Sequence, residues 1–173
     1  VNGVSLRSML ESRGTLDEAL VLSAGVEMAS AIDYLERKKL VARNLSADSF
    51  IIRYDGKACL DNVEYSTQRG KIMPTKDLYD RAPKSVLRHR PPEMLEEEHT
   101  AHNLSDLFSL ASIIYQMFSG RAPWEPNDDD PMSLTTFELT HEKFEEAPVS
   151  LQDRNPEVSP RVAQVLRKAL SVD

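Results

Sequence analysis

A mainly α single domain with one small β-hairpin is the fold class this sequence predicts, and three observations carry it. Leu20, Ala24, Met28, Ile32 and Leu35 recur at helical spacing, which gives one long helix a strongly apolar face. A second segment, NLSDLFSLASIIYQMFSG, repeats that spacing through Leu107, Leu110, Ala111, Ile114 and Phe118 and stops at Gly120. It is apolar nearly all round, so it reads as a buried central helix. Between the two, SFIIRYDGKACLD sets short runs of β-formers on either side of Asp55-Gly56, a hairpin turn signal.

The remaining elements follow in chain order. SLRSMLESRG reads as a short helix closed by Gly14. Thr15 and Glu18 stand at capping-box spacing, which starts the long helix near Leu16 and runs it to Lys38. From Asn62 to Arg90 no period is sustained, and Pro74 and Pro83 interrupt the stretch. A loop that long inside a compact domain is usually functional or mobile. PPEMLEEE predicts a short helix with prolines at its start, NDDDP an acidic loop, and MSLTTFELTHEKF a helix. EEAPVSLQDRNPEVS reads as another loop, and PRVAQVLRKALSV as a final helix opened by Ser159 and Pro160.

Bulk properties bound the function. A chain of 173 residues suits one domain, with 40% hydrophobic and 28% charged residues as in ordinary globular proteins. A net charge of −7 argues against nonspecific nucleic-acid or anionic-membrane binding. No apolar run approaches the roughly 20 residues of a membrane span, and no signal peptide is evident, so an intracellular, cytoplasmic location is expected. One cysteine, Cys59, leaves no internal disulfide and no multi-thiolate zinc site, and reads as a small buried apolar residue. His89, His99, His102 and His141 lack metal-ligand spacing.

The order of motifs is more telling than any one of them. The helix ending in DYLERKK, the loop VARNLSADSFII, the hairpin into CLDNV, RPPEML, and SDLFSLASIIYQMFSG with APW after it resemble the C-terminal lobe of a protein kinase. The resemblance implies a kinase C-lobe-like domain over residues 1–173, with no nucleotide-binding N-lobe in this chain. It also implies site positions. The slots of the kinase H-R-D triplet hold Ala42, Arg43 and Asn44, and the metal-binding asparagine slot holds Ser49. The D-F-G slots hold Asp61, Asn62 and Val63. Kinases need a carboxylate to accept the substrate proton and two side chains for magnesium. Asn44 is neutral and cannot act as a base, and a serine is a poorer magnesium ligand. No G-x-G-x-x-G and no V-A-I-K occurs. These positions therefore read as degenerate, with no catalytic residue, no cofactor and no metal site.

The opening GVSLRSMLESRGTLDEAL resembles that of the KIND domain, a non-catalytic relative of the kinase C-lobe, while ARNL and PPEML are closer to a pseudokinase C-lobe. Within the resemblance, Asp106 and Glu93 have structural roles. Asp106 would hydrogen-bond the backbone of residues 42–44, or else cap its helix together with Ser105. Glu93 would lack its usual arginine partner, which the family carries in a helix beyond Asp173. Asp48 beside the altered metal slot could supply one ligand, and Tyr65 and Tyr79 near Lys84, Arg88, His89 and Arg90 could accept a phosphate. The expected function is a non-catalytic interaction module or scaffold that binds a protein partner through a basic or amphipathic segment. The alternatives are a pseudokinase lobe that regulates a linked or partner kinase, and an unorthodox phosphotransferase using Asp48, Asp61 and magnesium.

Overall fold

The computed structural model describes residues 2–61, 63–74, 84–96, 98–127 and 141–172. The expected class needs correction. Among the described residues, seven short strands form three separate antiparallel sheets beside the helices, not one hairpin in a mainly helical domain. The first sheet joins β1 (Gly3–Ser5), β3 (Phe50–Arg53) and β4 (Ala58–Leu60) in the order β1-β3-β4. The second pairs β2 (Leu40–Val41) with β5 (Thr67–Gln68), and the third pairs β6 (Ile72–Pro74) with β7 (Glu98–Thr100). Strands of two or three residues carry no readable alternation, and their partners lie far away in sequence, so only β3 and β4 announced themselves.

Helix α1 (Leu6–Arg13) starts at Ser5, whose hydroxyl accepts from the Ser8 N–H, and ends at Gly14. Helix α2 (Glu18–Arg37) begins two residues later than the capping box suggested: Asp17 is the cap, and its carboxylate accepts from the Leu20 N–H at 2.9 Å. Its face of Val21, Ala24, Met28, Ile32 and Leu35 is buried against α4 (Asn103–Ser119). Burying side chains of that size contributes roughly 1.5–3 kcal/mol each. Helix α4 buries Phe108, Leu110, Ile113, Met117 and Phe118, but Leu107, expected in the core, is 41% exposed on the same side as the exposed Leu104. The N–H of Leu16 donates to the carbonyl of Met117 at 2.8 Å. Close by, a side chain on Gly120 (φ 78°) would lie 3.3 Å from the carbonyl oxygen of Gly14.

The hairpin turns at Gly56, with φ 81° and its N–H on the Arg53 carbonyl. β1 closes the outer side of that sheet, and Gly3 allows it: a Cβ there would sit 2.5 Å from the Ile52 carbonyl oxygen. Downstream, α3 (Lys84–Leu87) and a 3-10 turn over Pro92–Leu95 lead into β7. The stretch expected as a loop after Glu145 contains a short helix, α5 (Leu151–Arg154), before α6 (Pro160–Ala169), which Ser159 caps. The helix expected over 132–144 and the acidic loop at 128–130 lie outside the described residues, apart from a 3-10 turn at Glu142–Phe144. Among the described residues, no helix is long and apolar enough to cross a membrane.

Candidate functional site

The loop from Ala42 to Ser49 leaves β2 and is pinned at its start by one buried carboxylate. Asp106, in the first turn of α4 and 2% exposed, accepts from the Ala42 N–H at 2.6 Å and the Arg43 N–H at 2.8 Å. The helix itself receives no side-chain cap at its His102 N-cap position, so the carboxylate serves the loop. Arg43 takes φ 69°, a left-handed conformation that a non-glycine residue rarely adopts without compensating contacts. Burial pushes the Asp106 carboxyl up to about 6, against the two backbone donors and the Arg43 guanidinium, which pull it down.

The second half of the loop closes on itself. The Ser46 N–H donates to the Ser49 hydroxyl at 3.1 Å, the Ser46 hydroxyl accepts from the Asp48 N–H at 3.2 Å, and the Ser49 hydroxyl donates to the Asn44 carbonyl at 3.3 Å. Together these cap the 3-10 turn Ala47–Ser49. The N–H of Asp61 donates to the Ser49 carbonyl at 2.7 Å, which brings Asn44, Ser49 and Asp61 to one place. Asp61 is exposed there, and the neighbouring slot residue Asn62 lies outside the described residues; Val63 is 50% exposed.

Asp48 has partners the sequence did not reveal. Arg7 from α1 grips it with Nε on one oxygen and with Nη2 on the other at 2.5 Å, and the Ser85 hydroxyl from α3 donates to it at 2.7 Å. The Arg7 guanidinium holds its carboxyl below the usual carboxylate range. These contacts span 41 and 37 residues of chain, and no local pattern around Arg7 or Ser85 marks them.

The remaining candidates are dispersed. Glu93 accepts from the Ser105 hydroxyl at 2.6 Å. His89 is buried, with Nδ1 2.8 Å from the Ser112 hydroxyl, and burial pushes it down to about 3. His99 is buried and lowered to about 4, first by burial and then by the Arg43 and Arg90 guanidiniums. Arg90 is itself buried, and Arg88 pairs with the buried Glu125 at 3.1 Å. His102 and His141 are exposed, Cys59 and Tyr65 are half-buried, and Tyr79 and the Lys84 side chain lie outside the described residues. Among the described residues, no three His, Cys, Asp or Glu side chains are grouped as metal ligands would be.

A family model for the protein kinase domain matches residues 1–173. The chain belongs to the protein kinase domain family. It is 25% identical over 178 aligned residues to the MAP kinase kinase kinase mkh1 of Schizosaccharomyces pombe, covering all of this chain and 15% of that protein. It is 26% identical over 127 residues to the serine/threonine-protein kinase BCK1/SLK1/SSP31 of Saccharomyces cerevisiae, covering 72% of this chain and 8% of that one. It is 27% identical over 129 residues to the mitogen-activated protein kinase kinase kinase mkh1 of Cytospora mali, covering 74% of this chain and 7% of that one. The kinase-domain chain therefore spans well under a quarter of the length of these relatives.

Proposed function

We propose that this kinase-domain chain does not transfer phosphate and works as a protein-interaction module, of the KIND or pseudokinase kind. The observation that carries the reading is the chemistry of the 42–49 loop. A neutral amide, Asn44, stands where a kinase carries its base, and the one carboxylate within the loop, Asp48, is already held by Arg7 and Ser85. Phosphoryl transfer rests on positioned charge and bound magnesium, so a loop whose acid is spent on an internal cation loses both contributions. The same commitment weighs against an unorthodox phosphotransferase built on Asp48 and Asp61.

Binding has its own support. An apolar groove of about 520 Å³ lies between α2 and α6, where Leu22, Val26 and Val165 are 46%, 66% and 61% exposed. An amphipathic segment of a partner protein fits such a groove, and a basic flank on it suits the net charge of −7. The module then needs no cofactor and works inside the cell. The kinship with much longer mitogen-activated kinase kinase kinases favours a second reading, a lobe that regulates a linked or partner kinase. A strand-rich segment with a glycine-rich loop encoded upstream of Val1 would select the second reading.

A thermal-shift titration with ATP and magnesium tests the central claim. The expected result is no shift up to millimolar nucleotide, because a ligand that binds the native state raises its melting temperature by mass action. Saturable stabilisation, abolished by Asp61→Asn, would return the chain to the nucleotide-binding kinases.

A further inference from the structure

The chain carries an excess of acid, 28 Asp and Glu against 21 Lys and Arg, yet one corner of the molecule reverses it. Arg37, Lys38 and Lys39 leave the C-terminal end of α2, and Arg69 and Lys71 stand on the turn between β5 and β6. The two segments are bonded to each other: the Arg69 N–H donates to the Lys39 carbonyl at 2.9 Å, beside the β2–β5 pairing of Leu40 with Gln68. All five side chains are exposed. Two carboxylates share the corner, Asp33 at 2.8 Å from Arg37 and Glu36 at 3.9 Å from Arg69. Among the described residues, no carboxylate lies within ion-pair distance of Lys38, Lys39 or Lys71.

Helix electrostatics account for only part of this. Cations in a last helical turn favour the negative end of the helix dipole, which explains Arg37 and Lys38. Lys39, Arg69 and Lys71 lie beyond the helix. Lys39 also holds φ 59°, a conformation that glycine or asparagine would take more cheaply, so the backbone does not select a lysine there. Beside these cations Tyr34 is 56% exposed, with the Lys38 ammonium 5.6 Å from its ring centre, and it offers an aromatic platform within the charged corner.

We propose that this corner docks an acidic peptide segment of a partner protein. The surface lies apart from the α2–α6 groove, and the proposal holds whether or not phosphate transfer is lost. Charge range selects a peptide over an extended polyanion. At physiological ionic strength the Debye length is about 8 Å, so a short acidic segment meets mainly the local cations. A membrane plane or a long nucleic acid reaches beyond the corner and meets a chain whose net charge is −7, which opposes it.

The experiment is fluorescence anisotropy of a labelled twelve-residue Glu- and Asp-rich peptide against the full 173-residue chain. Saturable binding that weakens with added salt is expected, together with a loss of at least about tenfold in the Lys39→Glu, Lys71→Glu double variant. A matched reversal elsewhere, Lys57→Glu with Arg13→Glu, both exposed, should leave affinity within about twofold. Circular dichroism and melting temperature establish that both variants fold. Absence of peptide binding overturns the proposal, as does equal loss in both double variants, which would mean that the peptide senses net charge alone. Stronger binding to vesicles rich in phosphatidylserine, or to a short DNA duplex, also overturns it.

Discussion

Two carboxylates hold the two halves of the same loop, and they do so by opposite physics. Asp106 is buried and holds the front half through backbone N–H groups, with the Arg43 guanidinium only partly offsetting its burial. Asp48 sits on the back half, partly in water, and is satisfied by a guanidinium and a hydroxyl from two other elements. Burial raises the first and a cation lowers the second. Losing a buried acceptor strands its donors, whereas losing one side of a half-exposed pair leaves water to take over. The front half is thus architecture, and the back half is an adjustable latch.

Substitution at Asp106 should have the largest effect. Asp106→Ala leaves the buried N–H groups of Ala42 and Arg43 without an acceptor and should cost about 2–4 kcal/mol, read as a fall in the denaturation midpoint. Asp106→Asn keeps one carbonyl acceptor and should cost less. A loss below about 0.5 kcal/mol for the alanine variant would mean that the loop finds other support.

Acid should come next. His89 and His99 are held neutral in the fold, at about 3 and about 4, while unfolded histidines protonate near 6.5. Their contribution is present above 6.5 and is lost as pH falls toward the folded values. Asp106 runs the other way: its contribution is fully present below 3.8 and is lost as pH rises through about 6. Between pH 7 and 5 the unfolded chain gains about 1.5 protons on these two histidines, and the native chain gains about 0.8 on Asp106. Stability should therefore fall by on the order of 2 kcal/mol, measured by denaturant titration at each pH. Removing the opposing acid with Asp106→Asn should steepen that fall. Asp48 enters only lower, since a depressed carboxylate contributes above 3.8 and is lost as pH drops through its folded value.

Arg7→Ala should cost about 1 kcal/mol or less, because the pair is about a third exposed and solvent screens it. Its sharper readout is NMR titration of Asp48, whose carboxyl should move back toward the ordinary range. Ser85→Ala should be the mildest change, about 0.5 kcal/mol, since a neutral hydroxyl is replaced at a carboxylate that keeps Arg7. A cost for Ser85→Ala exceeding that for Arg7→Ala would reverse the assignment of the latch to the ion pair.

The long helices were legible because their apolar residues repeat within a few turns: Met28 and Ile32 on α2, Leu110 and Ile114 on α4. The ordered kinase-like motifs also pointed to the 42–49 loop and to Asp106, and family kinship reinforced the family assignment. The short sheets were not legible, since Leu40 pairs with Gln68 and Ile72 with Thr100 across intervals that no local pattern records. Leu107 misled because its spacing matches the buried face, yet it shares a side of α4 with the exposed Leu104 while Asp106 and Phe108 beside it are buried. Arg7 stayed hidden for the reason β1 did: its partner lies in another part of the chain, and Gly3, not any motif, lets that segment approach β3.

The Arg7 guanidinium gives the loop a counter-charge that is written into the polypeptide. A carboxylate neutralised by a dissolved ion answers to the medium, to chelators and to competing ligands. One neutralised by a side chain on the first helix answers only to the position of that helix. The shape of the back half of the loop is therefore set by whatever anchors or displaces residues 3–7, and a chelator added to the purified chain should leave it unchanged.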